Sequence, residues 1–242
     1  MPISYSKDFF STLKDLSKLS SKVVINKADG LLKICQITAD KSINYVMTAP
    51  ETKFNFPASE LAFYDFSDFY SFLELFTMPV LELNNSRISL SDGTSKSEYI
   101  TSNPSACSVG VDVKWTKPNI RFELSQKELE TLVKASSLLI SSEDIKKARI
   151  HGNGEKVTIE LVNVNINPKQ RGYDKTFSRD FKVEQITEKC SDYDFIINRN
   201  FFTDIPKKDY TIEINEKGFV RASYKENDIE VKIFSSFINE RG

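Results

Sequence analysis

Histidine occurs once in this chain, at His151, in a stretch that reads as a turn, so a general base or metal ligand there would have no second histidine to work with. The three cysteines, Cys35, Cys107 and Cys190, are odd in number and far apart. They offer no zinc-ligand spacing and argue against a disulfide framework, which points to a reducing compartment. Glycine is scarce, at 8 of 242 residues, and sits at turns, with neither GxGxxG nor GxxxxGK[ST] to cradle a phosphate. Acidic residues abound, yet no DxD or HExxH spacing and no paired carboxylates can be placed in a cleft. No catalytic residue, no metal and no cofactor is therefore expected, and the chain does not read as an enzyme. An apolar run of 18 residues is absent, and the opening MPISYSKDFF has no apolar signal core, so a cytoplasmic protein with no membrane segment is expected. A net charge of −1, from 33 basic and 34 acidic residues, excludes a binder that is basic throughout. It leaves open a protein whose charges are sorted by surface, because steering follows local potential rather than the sum.

What is present begins with two amphipathic stretches. In Ser6 to Lys22, wound at 100° per residue, Lys7, Lys14 and Lys18 fall within roughly 40° of one another. Phe9, Phe10, Leu13, Leu16 and Leu19 gather on the opposite side. A related stretch returns at Ser125 to Leu139. There Leu129, Leu132, Val133, Leu139 and Ile140 form the apolar face, Lys127 and Lys134 lie opposite, and Leu138 on the polar side predicts an early end. A lysine stripe on a seated helix is either an ordinary solvated face or a surface built to meet something. Its return about 120 residues later, with a lysine retained in register (Lys14 and Lys134), favours the second.

Between and after these helices the pattern is β-rich, as 18 Phe and 9 Tyr suggest. Hairpins are expected at Asp29-Gly30, Asn84-Asn85, Asn153-Gly154 and Lys217-Gly218, with a turn at Glu226-Asn227-Asp228. A second helix is expected over Asp65 to Phe76, deeply seated and without lysine. A short one should follow Asn198 and stop at Pro206. A Ser-, Thr-, Asn- and Pro-rich stretch from Thr94 to Pro118 reads as a linker. The expected division is residues 1–100, a linker at 101–118, and residues 119–242, each half running helix, hairpin strands, second helix, meander.

On these residues the chain resembles a sliding clamp, the DNA polymerase processivity factor, of the T-even-type bacteriophages. The likeness rests on Ser6-Lys7-Asp8 with Leu13-Lys14, and on Tyr64-Asp65-Phe66 followed by Phe69 and Leu73. In the second half it rests on Glu123, Leu129, Leu132 and Lys134, then on Phe195-Ile196-Ile197-Asn198 with Pro206 and Tyr210. It runs from about Ser6 to Phe237, nearly the whole chain.

The resemblance implies an α+β fold of duplicated clamp domains, with antiparallel sheets outside and helices lining a central hole. It implies a homotrimeric ring around double-stranded DNA, serving a DNA polymerase, loaded by an ATP-dependent clamp loader, and working in the host cytoplasm if phage-encoded. The DNA-facing residues it implies are Lys7, Lys14, Lys18, Lys22, Lys127, Lys134, Arg199, Lys207 and Lys208, with Lys146 and Lys147. A hydrophobic peptide of a partner would enter a pocket at Val109, Val111, Ile233 and Phe234. The competing expectation is a β-rich structural or interaction protein with no DNA role.

Overall fold

The computed structural model describes residues 2–107, 110, 113–139, 145–152, 156–164, 173–183, 185–186, 193–215 and 218–238. The chain packs as two compact units, Met1–Asp112 with Lys225–Val231, and Val113–Tyr224 with Lys232–Gly242.

The first half runs β1 Pro2–Tyr5, α1 Lys7–Ser17, β2 Val23–Ala28, β3 Leu31–Ile37, β4 Ile43–Pro50, β5 Phe54–Asn55 and β6 Glu60–Phe63. It continues with α2 Phe66–Glu74, β7 Val80–Asn84, β8 Arg87–Ser91 and β9 Lys96–Ile100. The second half runs β10 Ile120–Leu124, α3 Gln126–Leu138, β11 Ile145–Gly152, β12 Lys156–Val164, β13 Tyr173–Lys182, β14 Gln185–Ile186 and β15 Tyr193–Asn198. Then come α4 Asn200–Thr203, β16 Tyr210–Asn215, β17 Phe219–Glu226 and β18 Ile229–Ser236. The element order is the same twice: strand, helix, five strands, helix, three strands.

Strand pairing repeats too, and every registered pair is antiparallel. In the first half β1 pairs with β5 and β7, and β7 with β8. There β2 pairs with β3 and β6, and β3 with β4. In the second half β10 pairs with β14 and β16, and β16 with β17. There β11 pairs with β12 and β15, and β12 with β13. Antiparallel strands need only short connections, and the turns supply them. At Asp29-Gly30 both residues take positive φ, 53° and 75°, which matches a right-twisted two-residue hairpin. The turn expected at Asn84-Asn85 falls one residue later. Asn84 still pairs with Arg87, so Asn85, at φ 53°, and Ser86 make the bend.

The helices differ from expectation at their ends. The first stops at Ser17, so Leu19 and Lys22 lie beyond it, although Leu19 is still buried. The third runs through Leu138, 77% exposed, where an earlier stop was expected; one apolar side chain in water does not undo a turn of backbone hydrogen bonds. His151 lies in β11, opposite Thr158 and Asp194, rather than in a turn. Part of the expected linker is held within the first unit. Thr101 donates to the Ser86 carbonyl and Ser102 to that of Ala62, both at 2.8 Å, and Cys107 is buried with Val24 and Ala62. Gly110 donates to the Cys35 carbonyl at 2.9 Å, and a Cβ there would come within 2.6 Å of the Gln36 backbone. The Asn153-Gly154 turn, Lys217 and Cys190 lie outside the described residues; Cys35 and Cys107 are both buried and form no disulfide. Among the described residues no helix is long and apolar enough to cross a membrane.

Candidate nucleic-acid interface

The first helix buries Phe9, Phe10, Leu13 and Leu16 completely. Phe10 meets Phe54 edge-on at 4.9 Å and lies 5.9 and 5.8 Å from Phe66 and Phe69 of α2. This aromatic packing ties α1 to α2, and edge-on geometry is the favoured one for such rings. It also fixes which way the opposite face of α1 points.

On that face Lys7 is exposed, with no carboxylate partner among the described residues. Lys14 is not free. Its Nζ lies 3.1 and 3.3 Å from the two carboxylate oxygens of Glu74 and 4.5 Å from the centre of the Tyr70 ring. Tyr70 and Glu74 stand four residues apart on α2, one turn along the same face. Lys18 reaches Asp15 at 3.0 Å, one turn back on its own helix. Lys22 is half-buried outside the helix, with its Nζ 4.7 Å from the centre of the exposed Tyr64 ring. A cavity of about 260 Å³, lined by Tyr5, Lys7, Phe10, Tyr70, Leu73 and Glu74, opens beside the ion pair. Glu74 therefore offsets the positive charge of Lys14.

The third helix is capped more firmly. Ser125 Oγ accepts from the Glu128 backbone N–H at 3.3 Å, and Glu128 accepts from the Ser125 backbone N–H at 3.0 Å. Glu128 also receives Arg179 at 3.1 Å. Burial raises the Glu128 pKa, but the bonds from Ser125 and Arg179 outweigh it and hold the carboxyl below its usual range. Lys127 and Lys134 are exposed on α3, with no carboxylate partner among the described residues.

Aligning the two helix starts corrects the expected lysine match. Ser6 and Ser125 are the N-caps, and from them Phe10, Leu13, Leu16 and Ser17 correspond to Leu129, Leu132, Ala135 and Ser136, all buried. Lys14 then corresponds to Val133, and Lys134 to Asp15. One residue is 100° on a helix, so the two lysines face different ways relative to their cores.

The remaining candidates scatter. Arg199 is 1% exposed, enclosed at the turn from β15 into α4 between buried Ile197 and Phe201, so it cannot present its charge to DNA. Lys147 is half-buried on the β-strand β11 rather than on a helix, and the Lys146 side chain lies outside the described residues. Lys207 is exposed and Lys208 half-buried in the turn before β16. Ile233 and Phe234 are 0% and 4% exposed, and Phe234 packs on Trp115 at 5.9 Å. They are core residues rather than the open lining of a peptide pocket; Val109 and Val111 lie outside the described residues. Glu74 is legible in the sequence as an acidic residue on a second helix without lysine, which by itself weakens a positive inner field; its approach to Lys14 across 60 positions is not. Among the described residues no group of three His, Cys, Asp or Glu converges on a metal position. His151 Nε2 lies 3.8 Å from a carboxylate oxygen of Glu160.

No protein-family model matches the sequence, and no curated relative does. Solved structures do. The chain aligns with the PCNA of Thermococcus kodakaraensis at a TM-score of 0.71 and 15% identity, over 98% of this chain and 99% of that one. With A. fulgidus PCNA, solved bound to the C-terminal region of FEN-1, the TM-score is 0.72 at 11% identity, over the full length of both. With the proliferating cellular nuclear antigen of Entamoeba histolytica it is 0.73 at 10%, over 96% and 95%. Identities this low show the fold: a PCNA-like clamp fold, mixed α+β with antiparallel sheets and few helices, spanning the whole chain. These neighbours are archaeal and eukaryotic clamps, and the T-even bacteriophage subgroup finds no support in them.

Proposed function

We propose that the protein is a DNA sliding clamp, in which three copies close head to tail around duplex DNA and hold a DNA polymerase at the primer end. The observation that carries this reading is the clamp fold, matched end to end by PCNA structures, on a chain whose two halves repeat one element order and one pairing scheme. Exposed lysines stand at its helices, Lys7 on α1 with Lys18 at the α1 C-cap, and Lys127 and Lys134 on α3. Lysine suits a clamp because it is a flexible, hydrated point charge that engages phosphates without reading bases. Processivity then comes from topology: a polymerase tied to a closed ring keeps a high effective concentration at its template. An ATP-dependent loader opens the ring, the site of action is the cytoplasm, of the host if the chain is phage-encoded, and the clamp itself catalyses nothing. That A. fulgidus PCNA takes the C-terminal region of FEN-1 supports capture of partners through short terminal peptides.

One observation favours a second reading, a β-rich interaction protein with no DNA role: Lys14 and Lys18 are both paired with carboxylates of their own unit. The test loads the protein onto nicked circular duplex, with a loader or by spontaneous opening, and washes at high salt. Salt strips proteins held by phosphate contacts alone. Retention on the circle with release on linearisation is the expected result. Loss from both forms, with trimer formation and loader compatibility established, selects the second reading.

A further inference from the structure

We propose that Glu74, with Tyr70, sets how strongly the α1 face holds DNA: its carboxylate occupies the Lys14 ammonium that a backbone phosphate would otherwise take. The inference rests on the clamp reading and adds to it a residue that the lysine pattern does not reveal.

The geometry is that of a phosphate stand-in. Both Glu74 oxygens lie within hydrogen-bond distance of Lys14 Nζ, at 3.1 and 3.3 Å, as two oxygens of a phosphate would. The Tyr70 ring lies beneath the ammonium at 4.5 Å and keeps it in place whichever anion it faces. The pair is displaceable, because the Lys14 and Glu74 side chains are 37% and 53% exposed and such surface pairs are weak. Lys7 lines the same cavity as Glu74. The arrangement is confined to the first helix: Lys127 and Lys134 on α3 have no carboxylate partner among the described residues. A clamp needs phosphate contacts weak enough to exchange as it moves. An internal carboxylate that competes for one lysine weakens them without removing the charge.

The test measures binding of the full-length protein to a fluorescein-labelled 30-bp duplex by anisotropy, across a salt series, for the wild type, Glu74→Gln and Lys14→Ala, alone and combined. Glu74 lies on the surface and its neutral isostere keeps the fold. Glu74→Gln is expected to tighten binding about threefold to tenfold near 100 mM salt and to steepen the plot of log K against log salt by about 0.9, one added phosphate contact. The gain is expected to vanish in the Lys14→Ala background, which isolates the pair, and Glu74→Asp is expected to return it towards wild type. Wild-type binding with no change in slope on Glu74→Gln, or a gain that persists without Lys14, overturns the inference while leaving the clamp reading intact. No duplex binding by any form, with no retention on closed circles, overturns both.

Discussion

Phe10 is where the core of the first unit converges, since its ring touches those of Tyr5, Phe9, Phe54, Phe66 and Phe69. Truncation to Ala leaves a cavity that neighbouring rings cannot fill without leaving their own contacts. Phe10→Ala is expected to cost about 3–5 kcal/mol, read from the urea midpoint at unchanged m-value. Glu128 is a residue whose charge contributes to folding stability against acid. Its carboxyl binds a proton less tightly folded than unfolded, so the unfolded chain takes up the proton and stability rises with pH. The contribution is complete above the ordinary carboxyl value and is lost as pH falls through the lowered folded one. Wild type and Glu128→Gln are expected to differ in stability at neutral pH and to converge in strong acid, in a denaturation series against pH. Both residues carried sequence signals of unequal strength. Phe10 lay on an apolar face of plain helical spacing, and Glu128 stood three residues after Ser125, whereas its partner Arg179 lies 51 positions away on strand β13 and could not be read. Arg199 misled for the same reason: nothing local distinguishes a buried arginine from a surface one.

The two long amphipathic helices start alike and are capped differently. Ser125 makes the reciprocal capping box with Glu128, while Ser6 makes no side-chain cap bond to α1. Ser125→Ala is expected to cost about 1 kcal/mol, and Ser6→Ala far less, compared by thermal unfolding of the two variants. Equal costs would mean that backbone geometry rather than the hydroxyl sets the start of each helix. The existence of both helices was legible from periodicity, because burial of one stripe repeats every turn. Their ends were not. Leu19 is buried beyond the end of α1, and Leu138 is in water within α3, so the periodicity of the apolar face does not mark where either helix stops.

At the scale of the molecule the proposed clamp function predicts separable roles for charge and closure. Reversing Lys7, Lys127 and Lys134 to Glu touches no buried contact, so folding stability is expected to change little, within about 0.5 kcal/mol per site. Affinity for linear duplex is expected to fall, with a flatter salt dependence by anisotropy. Retention on closed circles after a salt wash is expected to survive, since a ring held by topology needs no phosphate contact; loss of retention would mean that charge alone held the DNA.

The order of elements, the turns at Asp29-Gly30 and Asn227-Asp228, the duplication and the amphipathic faces were determined by the sequence itself. Each rests on residues within a turn or two of one another, where 100° per helical residue, strand alternation and the tolerance of Asp-Gly for positive φ decide the outcome. Tertiary structure alone decided that Lys14 meets Glu74 across 60 positions and that Arg199 turns inward. It also put Ile233 and Phe234 in the core. Those outcomes depend on which faces pack together. In the first unit the phenylalanine cluster sets that packing by bringing α2 against α1, and no local pattern in either helix encodes the partner it will meet.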